Sequence, residues 1–433
     1  MNILKSRKIS NNVFYIGAND RDLSIFEGMI KIPNKVAYNS YIIKGEKNIC
    51  VDLTKDTVFG DFISKIYDVI GNSSIDYLII NHIEPDHSSG IKNFISVYPD
   101  VKIICNKKTK DLLKSYYNIY ENIIEIEDGE CINLGDKEFS FHLTPMVHWP
   151  ESMVCYYKNE SILFSQDIFG SFGALNGAVF DDEVEYEEDY LRDTQKYYIN
   201  IVGKYSSHAI NALGKLKDLD IKIICPTHGV VWRKNISKIL EVYKDLAQQK
   251  TIDGMLIVYG SMYGNTKTMA EIIARGAAEN GLKRIKMCDV SNEDVTNIVA
   301  DAWLYKGIVL GAPTYDNDIF PPMANLLEYL KHQNMKNNYW AFFSNYSWKN
   351  KAKEVFNKFG LDNNLNVIDD SIEVRGYPDQ NIQDCLYDLG KNMASNILSC
   401  SGVSCVNSNN YGNDGLGLDI SYDVIKKLLH KDS

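Results

Sequence analysis

Four side chains able to bind a metal ion fall within six consecutive residues: His82, Glu84, Asp86 and His87. The apolar run Leu78-Ile79-Ile80 just before them reads as a buried strand, and Ser88-Ser89-Gly90 ahead of Ile91 reads as a helix start. The ligand-rich stretch is therefore expected on a strand-to-helix turn, where short spacing aims several donors at one point. That demand constrains the fold, because it needs a sheet whose strand ends open onto a rim of polar loops.

Three later positions repeat the context. His148 follows a strand-like run ending near Leu143, Asp167 ends the apolar run 162–166, and His228 follows Ile223-Ile224-Cys225-Pro226. Taken singly, His148 before Trp149-Pro150 reads equally well as a packed turn residue, and His228 before Gly229 as a helix-terminal cap. Seven donors in all exceed one tetrahedral ion and suit two adjacent metals sharing a carboxylate. The set is nitrogen and oxygen without thiolate, which fits iron or manganese as well as zinc. His142, His208, His332 and His430 lack such contexts and read as structural or surface residues.

The surrounding residues organise into two α/β domains, expected over 1–250 and 253–399, followed by a linker and short helix at 400–433. In the first, short strands near 13–16, 41–43 and 49–52 precede a helix over 58–70 and the strand ending at Asn81. Strand 101–105, a helix over 109–120, and strands near 123–126 and 139–143 follow, which predicts a layered domain with mixed sheets.

A polar break near 248–254 leads into a fresh strand, Met255-Leu256-Ile257-Val258-Tyr259, then Ser261, Met262, Tyr263, Gly264, Asn265 and Thr266, and a helix over 267–279. A Gly/Ser/Thr loop at a helix N-terminus cradles an anion with backbone N–H groups and hydroxyls. Matching neither G-x-x-x-x-G-K-[ST] nor G-x-G-x-x-G, it suits a phosphate monoester such as that of flavin mononucleotide. Strands at 284–290, 307–311, 340–344 and 366–374, each followed by a helix, predict a doubly wound parallel sheet with its ligand at the strand carboxyl ends. The other loops there carry Pro313, Thr314, Tyr315 and Asp316, and Ser344, Asn345, Tyr346, Ser347 and Trp348. Their aromatic faces could flank an isoalloxazine ring.

Composition excludes some classes. The net charge of −11 argues against a nucleic-acid footprint or an anionic membrane partner. None of the nine Cys forms a C-x-x-C pair, which leaves a zinc ribbon or rubredoxin-type site unsupported and points to a reducing, cytoplasmic setting. No signal peptide is evident and no apolar run approaches the length of a bilayer span.

The order H-x-E-x-D-H, then His, Asp and His at long intervals, resembles the metallo-β-lactamase-like domain of flavodiiron proteins. The contexts Met146-Val147-His148-Trp149-Pro150-Glu151-Ser152-Met153, Leu163-Phe164-Ser165-Gln166-Asp167 and Ile224-Cys225-Pro226-Thr227-His228-Gly229-Val230 carry the same resemblance. The second half is similar to a short-chain flavodoxin. The resemblance implies an αββα sandwich followed by a flavodoxin-like domain. It also implies that His82, Glu84 and His148 bind one iron and Asp86, His87 and His228 the other, with Asp167 bridging; coordination by His87 varies within the family. Glu84 stands where related hydrolases carry His, which favours iron over zinc.

By resemblance the activity is reduction of dioxygen to water, of nitric oxide to nitrous oxide, or both. Electrons would come from an external donor such as rubredoxin or a flavin reductase and pass through FMN. A head-to-tail homodimer, or a dimer of dimers, would pair the flavin of one subunit with the diiron site of the other. A dinuclear zinc hydrolase and a flavodoxin-type electron carrier are the rival readings. Two departures stand out. Phe169-Gly170-Ser171-Phe172 lacks the expected Gln-His at its last two positions, and the loop from Ser344 to Lys349 has no Gly.

Overall fold

The computed structural model describes residues 5–399, so the expected linker and helix at 400–433, with His430, lie outside the described residues. The chain divides between Gln248 and Gln249 into two compact units.

In the first unit a seven-stranded sheet runs Arg7–Lys8, Val13–Tyr15, Tyr41–Ile43, Ile49–Val51, Tyr77–Ile79, Lys102–Asn106, Ile123–Ile126. Its first four strands pair antiparallel and the rest parallel, as βαβ crossovers require. The crossover helix Phe59–Ile70 forms because Phe62, Ile66, Val69 and Ile70 recur on one face, and Gly71 in left-handed backbone stops it. That face joins Phe94, Leu78, Ile80 and Ile103 in one core. Truncating Phe62, fully buried there, would cost about 3–5 kcal/mol.

Alternate residues of the same strands point the other way, toward a five-stranded sheet ordered Cys131–Leu134, Lys137–Leu143, Met153–Tyr157, Ile162–Gln166, Ile223–Pro226. Tyr41 shows the contact between the sheets: its ring lies 5.4 Å from that of Phe164, and its hydroxyl donates to the Pro226 carbonyl at 2.6 Å. Strands Tyr77–Ile79, Ile162–Gln166 and Ile223–Pro226 each run out at one of the ligand-bearing loops.

Three expectations need correction. The helix expected over 109–120 is α-helical only at Lys107–Leu112, then widens into a π-type turn, Leu113–Tyr117, and stops at left-handed Asn118. Asn tolerates that conformation where most residues do not. The expected ligand turn contains a helical turn of its own, Pro85–Ser88, with Pro85 at its first position and a separate helix, Ile91–Val97, behind it. The strand expected over 366–374 is two pieces, Asn366–Val367 and Ile372–Arg375, because Asp369, Asp370 and Ser371 favour a turn between them.

The second unit is a parallel sheet ordered Ile285–Asp289, Ile252–Tyr259, Tyr305–Tyr315, Tyr339–Tyr346, then the two short pieces. Reversal of strand order beside Ile252–Tyr259 creates the crevice that the sequence predicts for a ligand. Helices Asn265–Glu279 and Gln380–Ser399 lie side by side on one face. Two glycines permit their approach: a Cβ on Gly276 would meet the Tyr387 carbonyl oxygen at 2.1 Å, and one on Gly390 the Ile273 oxygen at 2.0 Å.

Candidate metal centre and flavin crevice

All seven expected metal donors converge in the first unit. Asp167, 1% exposed, lies at the centre with one carboxylate oxygen turned to each side. Its Oδ2 is 3.3 Å from His82 Nε2 and 3.4 Å from His148 Nε2. Its Oδ1 is 3.5 Å from the Nε2 atoms of both His87 and His228. Glu84 closes the first side, with Oε2 at 2.8 Å from His148 Nε2 and 3.4 Å from His82 Nε2. Asp86 closes the second, its Oδ2 3.2 Å from His228 Nε2 and its Oδ1 3.5 Å from His87 Nε2. The donors thus fall into two trios joined by one carboxylate.

Local sequence explains how six residues feed both trios. His82 and Glu84 sit in extended chain beyond strand Tyr77–Ile79, and Pro85 then forces a helical turn that swings Asp86 and His87 to the other side. His87 leaves helical geometry (φ −125°, ψ 18°), which separates its ring from that of His82 by 5.2 Å between centroids.

Outer partners fix the ring orientations. Nδ1–H of His82 donates to Glu151 Oε1 at 2.6 Å, and Nδ1–H of His228 to the Ala37 carbonyl at 2.8 Å. The Thr227 hydroxyl donates to Asp167 Oδ1 at 2.8 Å. Gln166 links two ligand loops, accepting from the Asp167 amide at 2.6 Å and donating to the Val147 carbonyl at 2.7 Å. None of these partners carries a recognisable local signal. Glu151, Gln166 and Thr227 are visible in sequence only as parts of the His148, Asp167 and His228 contexts.

Charge in the cluster is mutually supported. Burial opposes ionisation of His82, Glu84, His87, His148 and Asp167, yet the opposite charges around them outweigh it. Asp167, Glu151 and Glu84 hold His82 well above the ordinary imidazole value, while His87 is pushed up to about 9 by Asp86 and Asp167. Asp167 and Glu84 push His148 up to about 10. In return His148 and His82 hold Glu84 and Asp167 well below the carboxylate range. Glu27, on the turn between Ile25–Phe26 and Ile30–Lys31, has its carboxyl pushed up to about 8 by desolvation and by the neighbouring Glu84.

The residues fit a metal pair. His82 Nε2, both oxygens of Asp86 and both ring nitrogens of His87 are buried without a hydrogen-bond partner. Buried polar atoms are rarely left so, and a cation in each trio would satisfy them. Donor atoms of His82, Glu84, His87 and Asp167 lie within 4.8 Å of one another, as do those of Asp86, His87 and His228. His142, His208 and His332 stand apart, against Ser140, Tyr205 and Glu328.

The crevice loops of the second unit divide into framework and free surface. Gly264 caps helix Asn265–Glu279 in left-handed backbone at φ 97°. Ser261 Oγ accepts the Gly264 amide at 3.1 Å and the Lys267 amide at 3.4 Å, so a hydroxyl already sits where an anion would bind the helix N-terminus. Met262 and Tyr263 project outward and Thr266 is buried. In the second loop Thr314 is committed to structure, accepting the Lys351 and Ala352 amides, while Tyr315 and Asp316 are exposed. Ser344 accepts from Asn350, and Asn345 donates to the Gly376 carbonyl at 2.6 Å. The large surfaces left open are Tyr263, 92% exposed, and Trp348, 87% exposed. Pro313 is buried, Tyr346 half-buried and Ser347 exposed.

Known proteins share both units. Residues 36–229 match the ODP family beta lactamase model and residues 257–361 the flavodoxin model. An uncharacterized protein of Methanocaldococcus jannaschii is 34% identical over 401 residues, covering 90% of this chain and 99% of that protein. The anaerobic nitric oxide reductase flavorubredoxin of Escherichia coli is 29% identical over 396 residues, 89% of this chain and 81% of its own. Rubredoxin oxygen:oxidoreductase from Desulfovibrio gigas superposes with a TM-score of 0.88 at 26% identity, covering 92% of this chain and 100% of that one. The flavodiiron protein of Giardia intestinalis gives the same TM-score, 0.88, at 24% identity. With an ODP-type lactamase-like domain carrying this His/Glu/Asp cluster, followed by a flavodoxin domain, the chain belongs to the flavodiiron family.

Proposed function

We propose that the protein is an oxidoreductase that reduces dioxygen to water, nitric oxide to nitrous oxide, or both, using FMN and two non-haem irons. The observation that carries this reading is the division of the donors into His82–Glu84–His148 and Asp86–His87–His228 about the two oxygens of Asp167. A carboxylate in each trio makes the set harder than an all-imidazole zinc site. When bound, the two irons and the flavin supply single-electron chemistry that the protein's own side chains lack.

The chain's part is to hold and orient. His82 and His228 are locked through Nδ1 by Glu151 and the Ala37 carbonyl, which leaves each Nε2 to face the centre. Asp167 is fixed by Thr227, so its carboxylate spans both trios without turning. His87 completes the second trio here, and we assign it as a ligand. In the flavodoxin unit the helix N-terminus behind Gly264 would take the FMN phosphate, with Tyr263, Tyr315 and Trp348 offering faces to the ring.

Electrons would enter from a separate donor protein of the rubredoxin or flavin-reductase class. The name of the D. gigas relative, rubredoxin oxygen:oxidoreductase, supports a donor of the rubredoxin class. A head-to-tail homodimer would bring the flavin of one subunit to the metals of its partner. Among the described residues no helix is long and apolar enough to cross a membrane. Buried Cys50, Cys105, Cys155 and Cys225, none of them in a disulfide, agree with a reducing, cytoplasmic setting.

Anaerobically purified protein, with metals and flavin quantified, should contain two irons and one FMN per chain. Reduced with one donor and given each gas in turn, it should consume dioxygen, nitric oxide or both at rates far above free flavin. Two zinc ions and no iron would make it a hydrolase of the lactamase-like class. Flavin without gas turnover would make it a carrier.

A further inference from the structure

The strand that steadies His228 carries a second group with unmet hydrogen-bonding capacity. Val36–Tyr38 presents the Ala37 carbonyl to His228 Nδ1, and the next residue, Tyr38, lays its ring edge-on to the His228 ring at 5.7 Å between centroids. Tyr38 is 0% exposed, and its hydroxyl has no hydrogen-bond partner. Burying a phenol in this way costs free energy unless something outside the protein's own groups accepts its proton.

The surroundings indicate where that acceptor lies. His228 is also edged by Phe26 at 6.1 Å and packed by Tyr197 at 5.5 Å, so this side of the pocket is walled by rings. His228 joins this wall to the centre, its Nε2 lying 3.2 Å from Asp86 Oδ2. Both oxygens of Asp86 are likewise without a hydrogen-bond partner. An unmet donor and an unmet acceptor pair therefore share the Asp86–His228 side of the centre.

We propose that the Tyr38 hydroxyl donates a hydrogen bond to the small oxygen- or nitrogen-containing ligand held on the Asp86–His228 side of the centre, and so orients the substrate there. This rests on the diiron reading above. The strand fixes the donor before the ligand arrives: Asn39 Nδ2 donates to the Pro226 and Gly229 carbonyls, at 3.0 and 2.8 Å, tying the segment to the loop that carries His228.

The test uses Tyr38→Phe in the full-length, iron- and FMN-loaded protein, with azide as the probe of the oxidised centre. Azide should bind roughly five- to tenfold more weakly than in the unchanged protein, the range of one lost hydrogen bond, and its charge-transfer band should shift. Iron content should match the unchanged protein, and the melting temperature of the metal-free variant should be equal or higher, because a buried hydroxyl without a partner is removed. Equal azide affinity and an unshifted band at equal iron content would overturn the proposal. A large fall in metal-free melting temperature would also overturn it, by showing that the hydroxyl already has an acceptor. If the unchanged protein takes up no iron at all, the diiron reading itself fails and this assignment falls with it.

Discussion

The Nδ1 atom of His82 and Oε1 of Glu151 are 2.6 Å apart, and both side chains are sealed from solvent. The bond fixes which nitrogen of His82 faces the centre and ties the first ligand turn to the loop that carries His148. Second-layer carboxylates of this kind typically alter metal affinity by 10–100-fold.

Glu151→Gln should keep the fold but lower metal affinity by roughly one to two orders of magnitude, since an amide holds the imidazole less strongly. Competition against a chromophoric chelator measures it. Unchanged affinity would mean that Glu151 serves packing alone.

Metal uptake should release protons at pH 7. In the metal-free protein His82 is held well above its ordinary value, with His87 at about 9 and His148 at about 10, so all three are charged and must lose a proton to bind. Affinity should therefore fall as pH falls. The same raised values add stability to the metal-free protein in full below pH about 6.5, and it is lost as pH rises through about 9 to 10. The lowered Glu84 and Asp167 act oppositely: their contribution is present above the ordinary carboxylate range and is lost as pH falls through their depressed values. Calorimetry of metal binding in buffers of different ionisation enthalpy reads the proton count directly, and no release would contradict the charged cluster.

His148→Ala should abolish gas reduction while leaving bound flavin unchanged, because its Nε2 faces Glu84 and Asp167 in the first unit and the crevice loops belong to the second. Asp167→Asn should cut turnover at least a hundredfold, since it removes the charge shared by both trios. Flavin absorbance and gas-electrode traces on the same preparations separate the outcomes. Loss of flavin in His148→Ala would show that the units are not independent.

Gly390→Ala should unseat the flavodoxin unit selectively. The added methyl would press on the Ile273 carbonyl oxygen, a backbone atom that cannot swing aside, and overpacking costs about 1–3 kcal/mol or more. FMN content and the melting temperature of the flavodoxin unit should fall, with metal content retained. Parallel loss of metal would contradict separate folding of the two units.

The correspondence between sequence and structure follows the range of the interactions. His82 to His87 disclosed a metal site because those ligands are neighbours in the chain, where strand, proline turn and helix fix their spacing locally. Four of the five parallel strands expected in the second unit are equally legible, since hydrophobic period and turn residues alternate regularly. Local preference also went astray at 109–120 and 366–374, where helical or strand character gives way to an Asn-ended wide turn and an Asp-rich break.

What the sequence by itself determined was the identity of the donors, the α/β class and the family resemblance, all carried by residue type and spacing. Only the tertiary structure decided which oxygen of Asp167 faces which trio and that Glu151, Ala37 and Thr227 hold the ligands in place. It also left the buried Tyr38 hydroxyl without a hydrogen-bond partner, its ring edge-on to that of His228. Those relationships join residues far apart in the chain, and packing of the two sheets, not local preference, brings them within hydrogen-bond reach.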